Sequence, residues 1–343
     1  MIGSTALRDL ELFGLFQPNP QNVPRRAFDW ALEELRGYAA LAVGFYHALG
    51  PDLDPGFQPH RLLGYLNPGP ICVLLFFILS GYVIGLSTTG AFSKQAMIRY
   101  LMRRVIRIVP IYWLAIACSI PFSETDHWTT IVGNALFLQG LTVPVIAGNG
   151  ALWSLSYEVV FYLLFLLIWW LRPKVVAVFA IVFGLCLCGW LISTSAFGIQ
   201  IFASFLTGFL FWIVGLWLAW KVEPPAHEKS IPLVSYLCLF IAFFHIRPFG
   251  LLFQVLGWTN SQVDRVNLAT VGWLPICLLL IAGVTQRKFP GFKWLQVICL
   301  LVPIANLIPL LLRGRLFQQD FWILLAVLTG MASRFGELDT RPV

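Results

Sequence analysis

Charge is what this chain has least of. Only 11% of its 343 residues are Asp, Glu, Lys or Arg, against about 25% in soluble domains. Hydrophobic residues make up 59%, and the mean hydropathy is +0.80. No stretch between the apolar runs is long enough to fold as a soluble domain. No Lys/Arg-rich tract with interleaved aromatics occurs either, which argues against a nucleic-acid partner. The seven cysteines, Cys72, Cys118, Cys186, Cys188, Cys238, Cys277 and Cys299, all sit inside apolar runs. Cys186 and Cys188 are two apart and point to different sides of a helix. Buried, inert thiols are therefore expected, with neither a metal site nor a disulfide. The first 28 residues mix acids, prolines and short apolar clusters without the continuous apolar core of a cleaved signal peptide, so the first spanning helix is expected to direct insertion. No internal repeat of fixed period supports a repeat-built transporter.

What is present is a succession of apolar runs. Read against charged and Pro/Gly-rich breaks, they predict an all-α, polytopic transmembrane helix bundle of about ten spans. The spans fall near 29–50, 69–88, 100–121, 152–171, 174–193, 200–220, 231–248, 268–286, 294–312 and 317–334. The domain plan is an N-terminal segment 1–28, a single integral membrane domain 29–334 and a short tail 335–343. Most of the bases behind the net charge of +7 fall on one side of this scheme. Arg25, Arg26 and Arg36 precede span one; Lys94, Arg99, Arg103, Arg104 and Arg107 open span three; Arg172 and Lys174 follow span four. Lys221 and Lys229, then Arg287, Lys288 and Lys293, and finally Arg334 and Arg341 complete the set. The positive-inside rule makes this side, and with it both termini, cytoplasmic. Asp52, Asp54, Glu124, Asp126 and Asp264 fall outside, with Arg313 and Arg315 as basic exceptions. Inserting Trp128 to Ile146 as a further span would reverse every later loop, so it is expected to be re-entrant or surface-lying on the outer side.

Four stretches could carry chemistry. In LRGYAALAVGFYHAL, Arg36 and His47 are eleven residues apart, a turn of about 1100° on one helix. They share a face at roughly 16 Å separation, although a snorkelling anchor and a helix-end histidine would look the same. In RRVIRIVPIYW, Arg104 and Arg107 are three apart, on one face at the cytoplasmic surface. Guanidinium groups there suit bidentate phosphate binding, and topology and anionic lipids would place bases there as well. In WSLSYE, followed by Phe161 and Tyr162, Ser154 and Glu158 stack four apart. Ser154 is a candidate N-cap, and Glu158 is a carboxylate near the outer end that pairs at similar depth with His47. In FFILSGY, Ser80 and Gly81 sit mid-membrane, where small residues permit close helix packing or leave room for a narrow ligand chain.

In order and spacing these stretches resemble the acyltransferase-3 family of integral membrane acyltransferases. The matching pieces are LRGYAALAVGFYH, FFILSGYVI, RRVIRIVPIYW, and NALFLQ followed by GALWSLSYEVVFY. The resemblance implies transfer of an acyl group, commonly acetyl, from cytoplasmic acyl-coenzyme A to a hydroxyl of an extracytoplasmic carbohydrate or lipid-linked acceptor. It implies a multi-pass protein of the cell membrane, of the bacterial inner-membrane type, with the bilayer, acyl-CoA and that acceptor as partners. Arg36 and His47 match the family's R-x10-H pair, Arg104 and Arg107 its R-x-x-R pair, Glu158 its W-S-L-x-x-E acid, and Ser80 and Gly81 its Ser-Gly step. His47 and Glu158 are thereby the expected catalytic residues, and Arg36, Arg104, Arg107, Ser80 and Gly81 the expected donor-binding ones. Two departures stand out: Glu33-Glu34 replaces the usual Asp-Gly before the first arginine, and the late Ser-Tyr-x-x-Tyr-Leu-x-His stretch has no clear counterpart. A secondary transporter or flippase, with Arg, His and Glu as a proton or ion relay, is the competing class. An inactive partner in a surface-polysaccharide assembly is the third.

Overall fold

The structure is a computed structural model, which describes residues 30–48, 68–88, 90–122, 127–147, 149–192, 197–222, 233–246, 266, 268–287 and 289–312. The described chain is helical, with an isolated bridge between Gln139 and Val143. In order the helices are α1 Trp30–Ala48, α2 Gly69–Ser87, α3 Lys94–Ser119, α4 Trp128–Ala135, α5 Trp153–Leu171, α6 Val175–Ile192, α7 Phe197–Lys221, α8 Leu233–Ile246, α9 Leu274–Val284 and α10 Phe292–Leu312. Each predicted span up to 294–312 coincides with one of them. The span at 317–334, both terminal segments, the outer acids and the loop bases Arg25, Arg26, Lys229, Lys288, Arg313, Arg315, Arg334 and Arg341 lie outside the described residues.

Among the described residues, four apolar stretches are long enough to cross a bilayer, Gly69–Ser87, Lys94–Phe122, Gly150–Leu171 and Ile201–Lys221. Helix α1 is not among them, because Glu33, Glu34 and Arg36 interrupt its first two turns. Large apolar side chains such as Ile106, Ile111, Leu114, Leu163, Trp170 and Ile181 are exposed. Such a surface suits lipid rather than water, and this is a helical membrane protein. Exposure also corrects the cysteine expectation. Cys72, Cys186, Cys277 and Cys299 are buried, but Cys118 and Cys188 are exposed; on a lipid-facing surface an apolar thiol has no need of burial.

The described chain packs as two compact units. One takes in Ser87–Leu210; the other takes in Arg26–Leu86 and Phe211–Val343. In the first, Ser93 caps α3 by accepting from the Ala96 amide at 3.2 Å. Helix α3 therefore starts six residues before the apolar run predicts, since Lys, Gln, Ala and Met hold helix well once a cap satisfies the first turn. Pro110 lies inside α3 and leaves the Ile106 carbonyl without its helical donor. Helix α5 ends with Arg172 in the left-handed region at φ 52°, and Pro173 forbids its continuation. Between α3 and α5, Trp128 to Ile146 does not form a long helix. Its eight-residue α4 rises about 12 Å, well short of a hydrocarbon core of about 30 Å.

The chain after α4 folds back on two fully buried amides. Asn134 donates to the Thr130 and Pro144 carbonyls at 2.8 and 2.9 Å and accepts from the Ile146 amide at 3.2 Å. Gln139 donates to the Leu152 carbonyl at 3.0 Å. Tyr112 of α3 donates to the Asn134 carbonyl at 2.7 Å and stacks on Phe137 with centroids 4.2 Å apart. The NALFLQ stretch thus satisfies irregular backbone that lipid could not.

In the second unit a cation that local sequence presents as a loop base is buried. Arg287 is 3% exposed. Thr285 ends α9 and Gln286 follows in the left-handed region at φ 54°. The Gln286 amide then donates to the Gly283 carbonyl at 3.1 Å and the Arg287 amide to the Ala282 carbonyl at 2.9 Å. This pairing is a Schellman closure, which turns the chain back toward the bundle. There Arg287 Nε donates to the Tyr82 hydroxyl at 2.8 Å, and Nη1 donates to the Leu218 and Ala219 carbonyls at 3.2 and 3.5 Å. Those carbonyls belong to the last turn of α7, where the helix dipole favours a cation; the Leu218 carbonyl also accepts from the Val222 amide at 3.4 Å. Arg287→Met keeps the stem and removes the donors. It is expected to cost about 2–4 kcal/mol, read as an earlier unfolding transition in detergent; an unchanged transition would show that the clamp contributes nothing.

Candidate active site

Two pairs of side chains spaced i, i+4 meet in the Ser87–Leu210 unit. Tyr100 and Arg104 come from α3, Glu158 and Tyr162 from α5, and each pair stacks on one helical face. The helices run antiparallel at this contact. Tyr100 lies against Phe165 and Trp169, centroids 5.4 and 6.1 Å away, while Arg104, one turn further along α3, meets the earlier Tyr162 of α5. Tyr100 also donates to the Tyr162 carbonyl at 3.4 Å. The indole of Trp169 anchors the same face by donating to the Gly90 carbonyl at 2.8 Å.

The Arg104 guanidinium carbon stands 5.4 Å from the ring centroids of both Tyr100 and Tyr162, within range of cation–π attraction. Its Nη2 donates to Ser87 Oγ at 3.4 Å. Its Nε is buried and makes no hydrogen bond among the described residues. The Tyr162 hydroxyl donates to Glu158 Oε1, so cation, phenol and carboxylate form one chain of contacts. Hydropathy alone places Arg104 at the cytoplasmic surface and Glu158 near the outer end. Arg104, ten residues along α3, instead meets Tyr162, midway along α5.

The neighbouring arginines part company. Arg103 and Arg107 are exposed, with Arg103 Nε donating to the Arg99 carbonyl at 3.2 Å, whereas Arg104 is half-buried. The cap expected from Ser154 is not formed: α5 begins after Leu152, from the turn Gly150–Leu152, with no side-chain cap. Ser156 in the same turn donates to the Trp153 carbonyl at 3.0 Å. Further along, Tyr157 bonds Ser204 Oγ of α7 at 2.7 Å and stacks on Phe205 with centroids 3.9 Å apart, fixing the face of α5 that carries Glu158.

Arg36, His47, Ser80 and Gly81 belong to the second unit. Arg36 and His47 share α1. Leu32, Leu35, Ala39 and Ala42 form its buried face, and both Arg36 and His47 are half-buried. Arg36 Nη1 pairs with Glu33 Oε1 at 3.0 Å, so the Glu33-Glu34 departure supplies Arg36 with a carboxylate. His47 meets Tyr46 edge-on with ring centroids 5.4 Å apart. The bundle uses Gly81 for packing: a Cβ there would collide with the Trp212 carbonyl of α7, just as one on Gly215 would collide with the Ile78 carbonyl. The expected pairing of His47 with Glu158 draws on both units.

Sequence reasoning names Tyr162 and Arg287 without giving either a part in a site, and does not single out Tyr100 or Tyr82. The two i, i+4 spacings on α3 and α5 are a usable signal for Tyr162 and Tyr100. For Arg287 there is none, since its partner Tyr82 is 205 residues away.

The pattern of a family described as an acyltransferase domain, acyltransferase-3, matches residues 29–332. Acyltransferase MdmB of Streptomyces mycarofaciens is 34% identical over 148 residues, which cover 39% of this chain and 38% of that protein. The match thus spans well under two thirds of the relative's length. No solved structure matches the chain.

Proposed function

The chain belongs to the acyltransferase-3 family, and on that premise we propose that it moves an acyl group from cytoplasmic acyl-coenzyme A to a hydroxyl of an extracytoplasmic carbohydrate or lipid-linked acceptor, with acetyl as the group transferred. The match across most of the chain carries this reading. The arrangement of charged residues supports it.

Arg107, exposed on α3, and Arg104, with an uncommitted Nε, offer guanidinium groups to the phosphates of the donor, and Arg36 offers a third. The pantetheine arm runs between the helices past Ser80. The roughly 16 Å rise between Arg36 and His47 is a span that an extended arm can cover. At its end the His47 imidazole takes the proton of the acceptor hydroxyl as the oxygen attacks the thioester carbonyl. The new ester C–O bond forms, the C–S bond breaks, and the proton passes to the departing thiolate, giving free coenzyme A. Glu158 orients the imidazole or stabilises its cation.

Incubating membranes that contain the full chain with radiolabelled acetyl-coenzyme A tests the reading. Label in the glycan or lipid fraction supports transfer. Donor-independent movement of substrate across vesicles would identify a transporter instead, and no donor binding an inactive partner. Arg104→Lys keeps the charge but loses the planar fork and the stacking on two rings. It is expected to raise the donor KM about three- to tenfold, measured from initial rates; an unchanged KM would leave Arg104 a purely architectural role.

A further inference from the structure

We infer that Tyr162 is a positioning residue that ties the donor-side cation Arg104 to the carboxylate of Glu158. The inference rests on the acyltransferase reading above and concerns how two of its charged groups act together.

The geometry supports it at three points. Tyr162 is 7% exposed and lies on the face of α5 turned to α3, where its backbone carbonyl accepts from Tyr100 and its ring stands edge-on to the Tyr100 ring with centroids 6.4 Å apart. Its ring face receives the Arg104 guanidinium, and its hydroxyl donates to Glu158 Oε1. The phenol therefore meets a cation at its electron-rich face and an anion at its acidic hydrogen. Both interactions polarise it in the same sense, and each strengthens the other.

The consequence is that Arg104 and Glu158 are held by one rigid side chain with two torsions. In a low-dielectric bundle an unanchored carboxylate would seek other donors and lose a fixed orientation. Tyr162 prevents this and sets the carboxylate's position from the same helix contact that places the donor-side cation. Tyr100 supplies a second ring at the same 5.4 Å, perpendicular to that of Tyr162 and 6.4 Å from it, so Arg104 rests against both rings and its position registers on Tyr162.

Two substitutions separate the functions of ring and hydroxyl. Tyr162→Phe keeps both ring contacts and removes only the donor to Glu158. It is expected to lower kcat by about 10–100-fold, as for a hydrogen bond to a charged group, with donor KM within about twofold of wild type. Tyr162→Leu also removes the ring and is expected to raise donor KM as well. Initial-rate transfer of label from acetyl-coenzyme A in membranes gives both constants, and thermal unfolding in detergent verifies that Tyr162→Phe is folded. The decisive measurement is the double variant Tyr162→Phe with Glu158→Gln. If Tyr162 acts through Glu158, the double variant is no slower than Glu158→Gln alone, a result that a structural role for the hydroxyl would not give. Independent, multiplying losses overturn the inference, as does wild-type kcat in Tyr162→Phe beside a crippled Glu158→Gln. Full activity in Glu158→Gln would instead remove Glu158 from the proposed mechanism and leave Tyr162 nothing to position.

Discussion

Alanine at position 47 is expected to lower acyl transfer by about 10²–10⁴-fold, the usual worth of a positioned general base, while the protein still folds and inserts. The loss should fall on kcat and leave donor KM nearly unchanged, because in the proposed reaction the imidazole acts on the acceptor proton and not on the donor phosphates. The local structure explains both halves of this expectation. His47 lies in the last turn of α1, where the helix dipole favours a cation. An imidazolium formed there during transfer is stabilised by the helix that carries it. The side chain is half-buried, and alanine is the strongest helix former, so removing the ring should cost little stability. Initial rates with radiolabelled acetyl-coenzyme A, set beside the amount of folded protein in detergent, check the expectation. Full retained activity would take His47 out of the chemistry.

The second large effect is expected at Gly81, and it falls on folding. Gly81 and Gly215 face each other's helix at the crossing of α2 and α7, where added Cβ atoms would meet the carbonyl oxygens of Trp212 and Ile78. One turn on, a Cβ at Gly85 would lie 2.6 Å from Ala219 Cβ, and the Trp220 indole donates to the Gly85 carbonyl at 3.1 Å. Gly81 and Gly85 form a small-xxx-small face, the sequence device by which membrane helices bring their backbones together. The obstacle at Gly81 is backbone, which has no rotamer to retreat into. Gly81→Ala is expected to cost about 1–3 kcal/mol through overpacking, and Gly81→Leu should yield no folded protein. Gly215→Ala should match Gly81→Ala, since it wedges the same crossing. If Gly81 instead lined the path of the donor arm, alanine there would raise donor KM at unchanged unfolding temperature.

Much of the fold is legible in the order of residues along the chain. Apolar runs of nearly twenty residues, broken by Pro, Gly and bases, mark α1, α2, α5, α6 and α7 within a few residues, because lipid forces each backbone to satisfy itself within its own segment. The start of α3 cannot be read from hydropathy. Its first three turns mix Lys94, Gln95, Arg99, Arg103 and Arg104 with apolar residues, and the Ser93 cap, not a continuous apolar run, marks where the helix starts. Nor can the contact of Arg104 with Tyr162 be read there, since it depends on how α3 meets α5.

Composition, the order of apolar runs and four short motifs determined that this is a helical membrane protein of the acyltransferase-3 family, because those properties are carried by residues near one another in the chain. Tertiary structure decided which candidates meet. Arg104 and Arg107 have the same spacing in sequence whether or not one turns inward, and only the packing of α3 on α5 brings Arg104 to Tyr162. Arg287 resembles any loop base until the close of α9 turns it onto Tyr82 and the end of α7. Helical periodicity assigns a residue to a face; what lies opposite depends on partners tens to hundreds of residues away, and no local pattern encodes them.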